Sequence, residues 1–184
     1  MELKEVDNNN KTEYQRIEKL YKEAFPSKER QNFWSLQRRV KKGKAEQWNF
    51  YDNDIWVGWS YIIKIKGKNY IYLYYFAINS SLRGKGYGTK ALKLLLEKYK
   101  DYKIILALED WREESDDHEQ RIKRHEFYLH CGMKDLPYKQ QEPVLSFATM
   151  GYGDEVKPEE FKDLIDTFMG WPLKYYYNWN LVEL

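Results

Sequence analysis

The hydrophobic and polar residues follow two different periods along the chain, and they predict helices first and strands next. Apolar side chains three or four positions apart predict an amphipathic helix over 11–25, which Pro26 ends. Ser27 is placed to cap a second helix that runs to about Lys42. β-Branched and aromatic residues then predict strands, with a hairpin turn at 67–69. These strands should form an antiparallel meander, and together with a short N-terminal strand they cover 2–6, 48–51, 55–66 and 70–78.

The middle of the chain has the pattern of a β-α-β unit. Residues 70–78 are nearly all apolar, which is typical of a strand covered on both faces. A glycine-rich loop over 83–88, an amphipathic helix to about Lys100 and a second apolar strand over 103–108 follow. Such crossover connections join parallel strands, so these two strands should be parallel. The remaining predicted elements are a helix over 118–130, a strand over 144–150 and a helix over 158–168.

Composition and charge narrow the possible functions. The 184 residues suit a single domain over 1–184, and an aromatic content of 17% supplies apolar surface for a core. The net charge of +2 gives no reason to expect a nucleic-acid partner. Cys131 is the only cysteine and the histidines are not spaced as a metal site, so we expect neither a disulfide nor a metal. Because no apolar run is long enough to span a bilayer and the N-terminus is charged, we expect a cytoplasmic protein without a membrane partner.

The glycine-rich loop is the segment most suggestive of chemistry. It reads Arg-Gly-Lys-Gly-Tyr-Gly-Thr over 83–89 and lies between a strand and a helix. The first turn of a helix has unpaired N–H groups and a positive dipole end, which suit a phosphate or pyrophosphate. The spacing fits neither the P-loop pattern nor the dinucleotide-binding pattern, but it fits R-x-x-G-x-G with Arg83, Gly86 and Gly88. The alternative is a turn without a ligand.

This segment resembles the GNAT superfamily of acetyl-CoA-dependent N-acetyltransferases. Phe127-Tyr128, followed by Cys131-Gly132-Met133, is similar to a second motif of that family, and the specific resemblance covers 70–133. It implies a mixed α/β fold, a twisted sheet with helices on both faces and a splayed parallel strand pair. It also implies that acetyl-CoA is the co-substrate. The cofactor-binding residues implied are Phe76, Ala77, Ile78, Arg83, Gly84, Lys85, Gly86, Tyr87, Gly88 and Thr89.

The resemblance also implies roles in catalysis for two residues. Tyr128 matches the tyrosine that protonates the leaving CoA sulfur, and the alternative is a packed core ring. Glu109 follows the strand region that in the family often supplies the base or a carboxylate that positions a water, so either Glu109 or a water chain could take the proton. The alternative is the first residue of a solvated acidic loop. No nucleophile with a paired base is visible, so we expect the amine to attack the thioester directly.

Three features leave alternatives open. Arg121 and Arg124 replace residues that are usually Asn and small in the family, and they could approach CoA phosphates or be exposed helix charges. The carboxylate-rich stretch over 109–119 could attract a cationic acceptor or be an exposed loop. The aromatic tail over 171–179 could cover a sheet edge, an acceptor pocket or a dimer face.

The sequence therefore predicts an acetyltransferase acting on a primary amine, as a monomer or a homodimer. An aminoglycoside, a polyamine, an amino acid and a protein N-terminus all remain open as acceptors. The competing interpretations are an acyltransferase with another acyl-CoA donor, a non-catalytic acyl-CoA-binding domain and, disfavoured by the charge, a nucleic-acid-binding module.

Overall fold

The computed structural model describes residues 1–143, 145–171 and 179–184. The strands are β1 Glu2–Glu5, β2 Ala45–Asp52, β3 Ile55–Lys64, β4 Tyr70–Ile78, β5 Lys103–Glu109, β6 Lys134–Gln141, β7 Ser146–Tyr152 and β8 Asn180–Glu183. The α-helices are α1 Lys11–Ala24, α2 Phe33–Lys41, α3 Tyr87–Lys98, α4 His118–His130 and α5 Pro158–Met169. Within the described residues the strands form one sheet in the order β1-β2-β3-β4-β5-β7-β6-β8.

Helices cover both faces of this sheet, as predicted for the fold class. One apolar cluster joins the sheet to α1, α2 and α5, through side chains such as Leu20, Leu36 and Phe161. A second cluster joins the opposite face to α3 and α4, through Leu92 and Tyr128 among others. The helices α1, α3 and α5 present apolar stripes at helical spacing, whose burial removes apolar surface from water. The helix α4 instead buries Arg121, His125 and Tyr128.

The central strands β4 and β5 are parallel, but they pair over only a short distance. Their register joins Tyr70–Tyr72 to Lys103–Ile105. Beyond this point β4 stays paired with β3 as far as Ile78, while β5 stays paired with β7 as far as Glu109. The carboxyl-terminal halves of β4 and β5 therefore separate, which confirms the splayed strand pair.

The prediction that Ser27 caps the second helix is wrong. Ser27–Glu29 forms a short 3₁₀ turn, and Asn32 caps α2 by accepting a hydrogen bond from the Ser35 amide at 3.2 Å. A tertiary contact explains the interruption. The Tyr75 hydroxyl, on β4, donates to the Glu29 carbonyl at 3.0 Å and accepts from the Gln31 amide at 3.3 Å. A helix running through this segment would use those two backbone groups internally.

The sequence pattern missed two strands, β6 and β8. β6 contains Pro137 and several charged residues, which usually argue against a strand. Its burial nevertheless alternates, with Leu136, Tyr138 and Gln140 facing inward. The strand predicted over 144–150 corresponds to β7, although its first residue lies outside the described residues. So does most of the aromatic tail, 172–178, whose predicted roles stay untested.

Candidate active site

A cavity of about 660 Å³ opens where β4 and β5 separate. Its walls come from the ends of these two strands, from the glycine-rich loop, from α4 and from the segment 24–31 between α1 and α2. Strand separation creates such a cavity because neither strand edge is covered by a neighbour there. The backbone groups on those edges must then find water or a ligand as partners.

The glycine-rich loop at one end of the cavity is arranged to receive an anion. Gly84 and Gly86 have φ values of +74° and +77°, and Gly86 caps α3 in the left-handed conformation that favours glycine. Among the hydrogen bonds of the described residues, none is donated by the backbone amides of 84–89. A Cβ at Gly84 or Gly86 would meet no atom within 4 Å, so these amides border open space. They lie at the positive end of the α3 dipole.

The free edge of β4 adds backbone groups to the same cavity. The Asn79 amide donates to the Val57 carbonyl of β3 at 2.8 Å. Because backbone groups alternate in direction along a strand, those of Phe76 and Ile78 then point away from β3, toward the gap. The Arg83 Nε donates to the Ile78 carbonyl at 3.2 Å and ties the loop to the strand end.

Glu109 lies at the other end of the cavity, where β5 ends, and it is 3% exposed. Its Oε1 pairs with Arg121 at 3.1 Å and with Lys28 at 3.2 Å, and its Oε2 pairs with Arg124 at 3.4 Å. The alternative of a solvated loop residue is therefore wrong. Arg124 and the buried Arg121 neutralise this carboxylate. This role differs from the two that the sequence left open, contact with CoA phosphates and exposed helix charges.

Glu29 is a cavity residue that sequence reasoning missed. It lies in the 3₁₀ turn after α1, and its Oε1 is buried without a hydrogen-bond partner. Burial and the negative charge of Glu109 together raise the pKa of Glu29 to about 7, against the opposing charges of Arg124 and Lys28. Nothing in the local sequence signals this residue, because its environment depends on the tertiary position of the turn.

Aromatic rings form the wall between the two ends of the cavity. Phe25, Tyr74 and Tyr75 line it and pack against one another, with ring centroids 4.8 Å apart for Phe25 and Tyr75 and 4.4 Å apart for Tyr74 and Tyr75. Rings beside buried carboxylates favour cations through their negative faces. The part of the cavity lined by these rings and by Glu29 is therefore suited to an ammonium group.

Tyr128 reaches the cavity from α4. Only 9% of the residue is exposed, and burial raises the pKa of its hydroxyl to about 12 despite the opposing charge of Arg124. The phenol is therefore protonated at neutral pH and able to act as a proton donor.

Comparison with known proteins identifies the family. A family model described as the acetyltransferase (GNAT) family matches residues 14–133. The chain belongs to the GNAT family. The predicted family and the predicted enzyme class, an acetyl-CoA-dependent N-acetyltransferase, are confirmed. No curated protein sequence matches this GNAT chain.

Solved structures share the fold of this GNAT protein at low sequence identity. A Bacteroides thetaiotaomicron protein assigned to the GNAT family is 21% identical, with a TM-score of 0.76 over 95% of this chain and 99% of its own. An aminoglycoside 6'-N-acetyltransferase complexed with coenzyme A is 18% identical, with a TM-score of 0.65 over 86% and 99% of the chains. A mutant spermidine N-acetyltransferase from Vibrio cholerae is 14% identical, with a TM-score of 0.62 over 82% and 94%.

The structure gathers most of the cofactor-binding residues predicted for this GNAT enzyme around the cavity. Those that line it are Phe76, Ala77, Ile78, Arg83, Gly84, Gly86, Gly88 and Thr89. Lys85 and Tyr87 are not among the lining residues, and the Lys85 ammonium donates to the Ser81 carbonyl at 3.3 Å. Their binding roles stay predictions, as does the binding role of each lining residue.

The acidic stretch of this GNAT protein contributes less to the cavity than its charge suggested. Of residues 109–119 only Glu109 lines it. Asp110 is buried and pairs with Arg112 and Lys139 at 3.1 and 3.6 Å.

Among the described residues no group of three His, Cys, Asp or Glu side chains could hold a metal ion. No helix in the described part of the chain is long and apolar enough to cross a membrane.

Proposed function

We propose that this GNAT enzyme transfers the acetyl group of acetyl-CoA to a primary amine of a cationic acceptor by direct attack. The observation that carries the proposal is a single cavity lined by two kinds of group. Backbone amides without protein partners border it at the glycine-rich loop, and the carboxyl groups of Glu29 and Glu109 line it together with aromatic rings. Such a cavity suits a polyanionic donor and a cationic acceptor whose reacting groups must meet between them.

The coenzyme end is assigned to the glycine-rich loop and β4. The amides of 84–89 would bind the pyrophosphate, with Arg83 adding positive charge at the loop. The backbone groups of Phe76 and Ile78 would bind the pantetheine arm and the thioester, because they face the gap left by β5. Gly84 and Gly86 fit this role, since a Cβ at either position would meet no atom within 4 Å.

The acceptor end is assigned to the segment 24–31 and the end of β5. The Glu29 carboxyl group, whose Oε1 has no hydrogen-bond partner, and the rings of Tyr74 and Tyr75 would recognise an amine that arrives protonated. Two of the structurally similar enzymes are named for aminoglycoside and spermidine substrates, both of which carry several amines. These neighbours support the amine class, and we propose no single acceptor.

The transfer needs no acyl-enzyme. Cys131 is buried, and burial raises the pKa of its thiol, so it is neither exposed nor activated as a nucleophile. The acceptor amine would therefore attack the thioester itself. Tyr128 would give its proton to the departing sulfur, and its protonated phenol at neutral pH supports this role.

Coenzyme binding and acetyl transfer can be tested separately. Thermal unfolding with and without CoA should show stabilisation of about 2.7 kcal/mol at 100 times the dissociation constant. Gly86→Ala should weaken CoA binding about tenfold, which corresponds to about 1.4 kcal/mol, because it disturbs amides that would contact the pyrophosphate. The matched control is Gly43→Ala, since Gly43 also has a positive φ (+69°) and an open surrounding but lies outside the cavity.

Release of CoA thiol should then be followed with acetyl-CoA and spermidine, kanamycin, lysine or a peptide with a free N-terminus. At least one amine should accelerate thiol release, with the acetylated product detected by mass spectrometry. CoA binding without transfer to any of these amines would favour a non-catalytic acyl-CoA-binding domain. Equal CoA affinity of the Gly86 and Gly43 variants would contradict the assignment of the loop.

A further inference from the structure

We infer that Glu29 is the general base of this enzyme and that Glu109, to which the sequence assigned that role, is a positioning residue. The inference rests on the proposed function and identifies the group that removes the proton from the acceptor ammonium. It follows from how the two neighbouring carboxyl groups are partnered within the cavity.

The oxygens of Glu109 are both engaged by cations. Arg121 and Lys28 pair with Oε1, and Arg124 pairs with Oε2. Neither oxygen of Glu109 is therefore without a cationic partner, although Glu109 reaches the cavity. These ion pairs hold the Glu109 carboxylate in a fixed position.

Glu29 has the opposite environment. Its Oε1 is buried in the cavity wall without a hydrogen-bond donor, so it has an unused lone pair to accept a proton. Glu109 lines the same cavity, and its negative charge, together with burial, favours the protonated form of Glu29.

The groups that face Glu29 set its proton affinity near neutral pH. Burial raises the pKa most, the charge of Glu109 from β5 also raises it, and Arg124 from α4 and the adjacent Lys28 lower it. The balance lies at about 7. A base with a pKa near the working pH is ionised often enough to act and still binds a proton well, which is the condition for efficient general-base catalysis.

Hydrogen bonds hold the backbone of Glu29 in place. The Tyr75 hydroxyl donates to the Glu29 carbonyl at 3.0 Å and also accepts from the Gln31 amide at 3.3 Å. The Tyr21 hydroxyl donates to the Gln31 carbonyl at 3.0 Å. These buried tyrosines fix the turn to the sheet, so Glu29 is positioned against β4, whose edge is assigned to the thioester.

The proton balance of the step is complete without any additional reactant. The ammonium gives one proton to the ionised Glu29 carboxylate, and the neutral amine forms an N–C bond with the thioester carbonyl carbon. The C–S bond breaks and its electron pair stays on sulfur. Tyr128 gives its proton to the sulfur, and the second proton that the nitrogen loses on becoming an amide restores the Tyr128 phenol. The first proton is released to solvent from Glu29.

The test compares Glu29→Gln, Glu29→Asp and Glu109→Gln with the wild type and with Glu23→Gln, an exposed control on α1. The pH dependence of kcat and kcat/KM is measured from pH 5 to 10 with the active amine of the panel. Glu29→Gln should lower kcat at least about 100-fold and abolish the limb with an apparent pKa near 7. Its thermal shift with CoA should equal that of the wild type, which shows that the cavity is folded.

The other variants separate a base from a structural residue. Glu29→Asp should keep the limb of the pH profile near pH 7 at a reduced rate, because a carboxylate remains. Glu109→Gln should keep this limb but shift it to lower pH, because the negative charge that raises the pKa of Glu29 is removed. Glu23→Gln should match the wild type.

Several results would overturn the assignment. A Glu29→Gln enzyme with the wild-type pH profile would remove Glu29 from the mechanism, and loss of the limb in Glu109→Gln alone would return the role to Glu109. A wild-type protein that binds CoA but acetylates no amine would overturn the proposed function, and the base assignment with it.

Discussion

At the scale of single residues, Tyr128 offers the most direct test of the leaving-group chemistry. Tyr128→Phe should lower kcat about 100-fold, because the variant has no hydroxyl to protonate the CoA sulfur. Its affinity for CoA should change little. The control is Tyr138→Phe, which removes a buried hydroxyl that donates to the Val156 carbonyl at 2.6 Å, outside the cavity. That change should reduce stability and leave turnover intact. Unchanged turnover of Tyr128→Phe with chemistry rate-limiting would exclude the acid role.

Some residues of the candidate site can be identified from the sequence and others cannot. Tyr128 and the loop glycines lie within short local motifs, so their spacing alone points to them. Glu109 follows an apolar strand, and strand ends are common positions for functional groups. Glu29 has no such marker, since its pKa is raised first by burial in the folded protein and then by the charge of Glu109, eighty residues further along the chain. Tertiary proximity between charges is not encoded in any local pattern.

At the scale of elements, close contact between β3 and β4 fixes the strand edge assigned to the thioester. Gly58 of β3 pairs with Ile78, and a Cβ at Gly58 would lie 2.2 Å from the Ala77 carbonyl oxygen. Gly58→Ala should therefore force the strands apart and destabilise the protein by about 2 kcal/mol or more in urea unfolding. Gly151→Ala is the control, because there the nearest atom is a Leu136 side-chain carbon at 3.1 Å, which can move. Equal losses of stability in Gly58→Ala and Gly151→Ala would contradict this explanation.

Sequence periodicity predicted the β4–α3–β5 unit well because its elements are apolar and its loop is rich in glycine. β6 escaped prediction because its inward residues are interrupted by Pro137 and by charges that face outward. The splay of β4 and β5 depends on where pairing stops, at Tyr72 and Ile105. Nothing within either strand marks that point, so only the family resemblance suggested it.

At the scale of the whole molecule, charged groups from distant parts of the chain converge on one cavity although the net charge is only +2. The glycine-rich loop supplies Arg83 and the positive end of the α3 dipole, and the carboxyl groups of Glu29 and Glu109 line the same cavity beside Lys28 and Arg124. Such a lining suits a reaction that joins an anionic coenzyme to an amine. The composition cannot reveal it, because these groups come from separate parts of the chain.

The raised pKa of Glu29 also makes the stability of the whole protein depend on pH. Its pKa rises from 4.5 to about 7 on folding, so the folded state binds the proton more tightly. The resulting stabilisation is complete below about pH 4.5 and is lost as the pH rises through about 7. Glu29→Gln has no such loss. Its free energy of unfolding, relative to that of the wild type, should therefore rise by about 1–2 kcal/mol between pH 5 and pH 8, after allowance for solvent screening. Urea unfolding of both proteins without ligand measures this difference, and other titrating groups, such as Glu46 and Glu160, cancel because both proteins contain them. A difference that stayed constant over this range would mean that Glu29 is ionised throughout, and the carboxyl would then lack the proton affinity that a base at neutral pH requires.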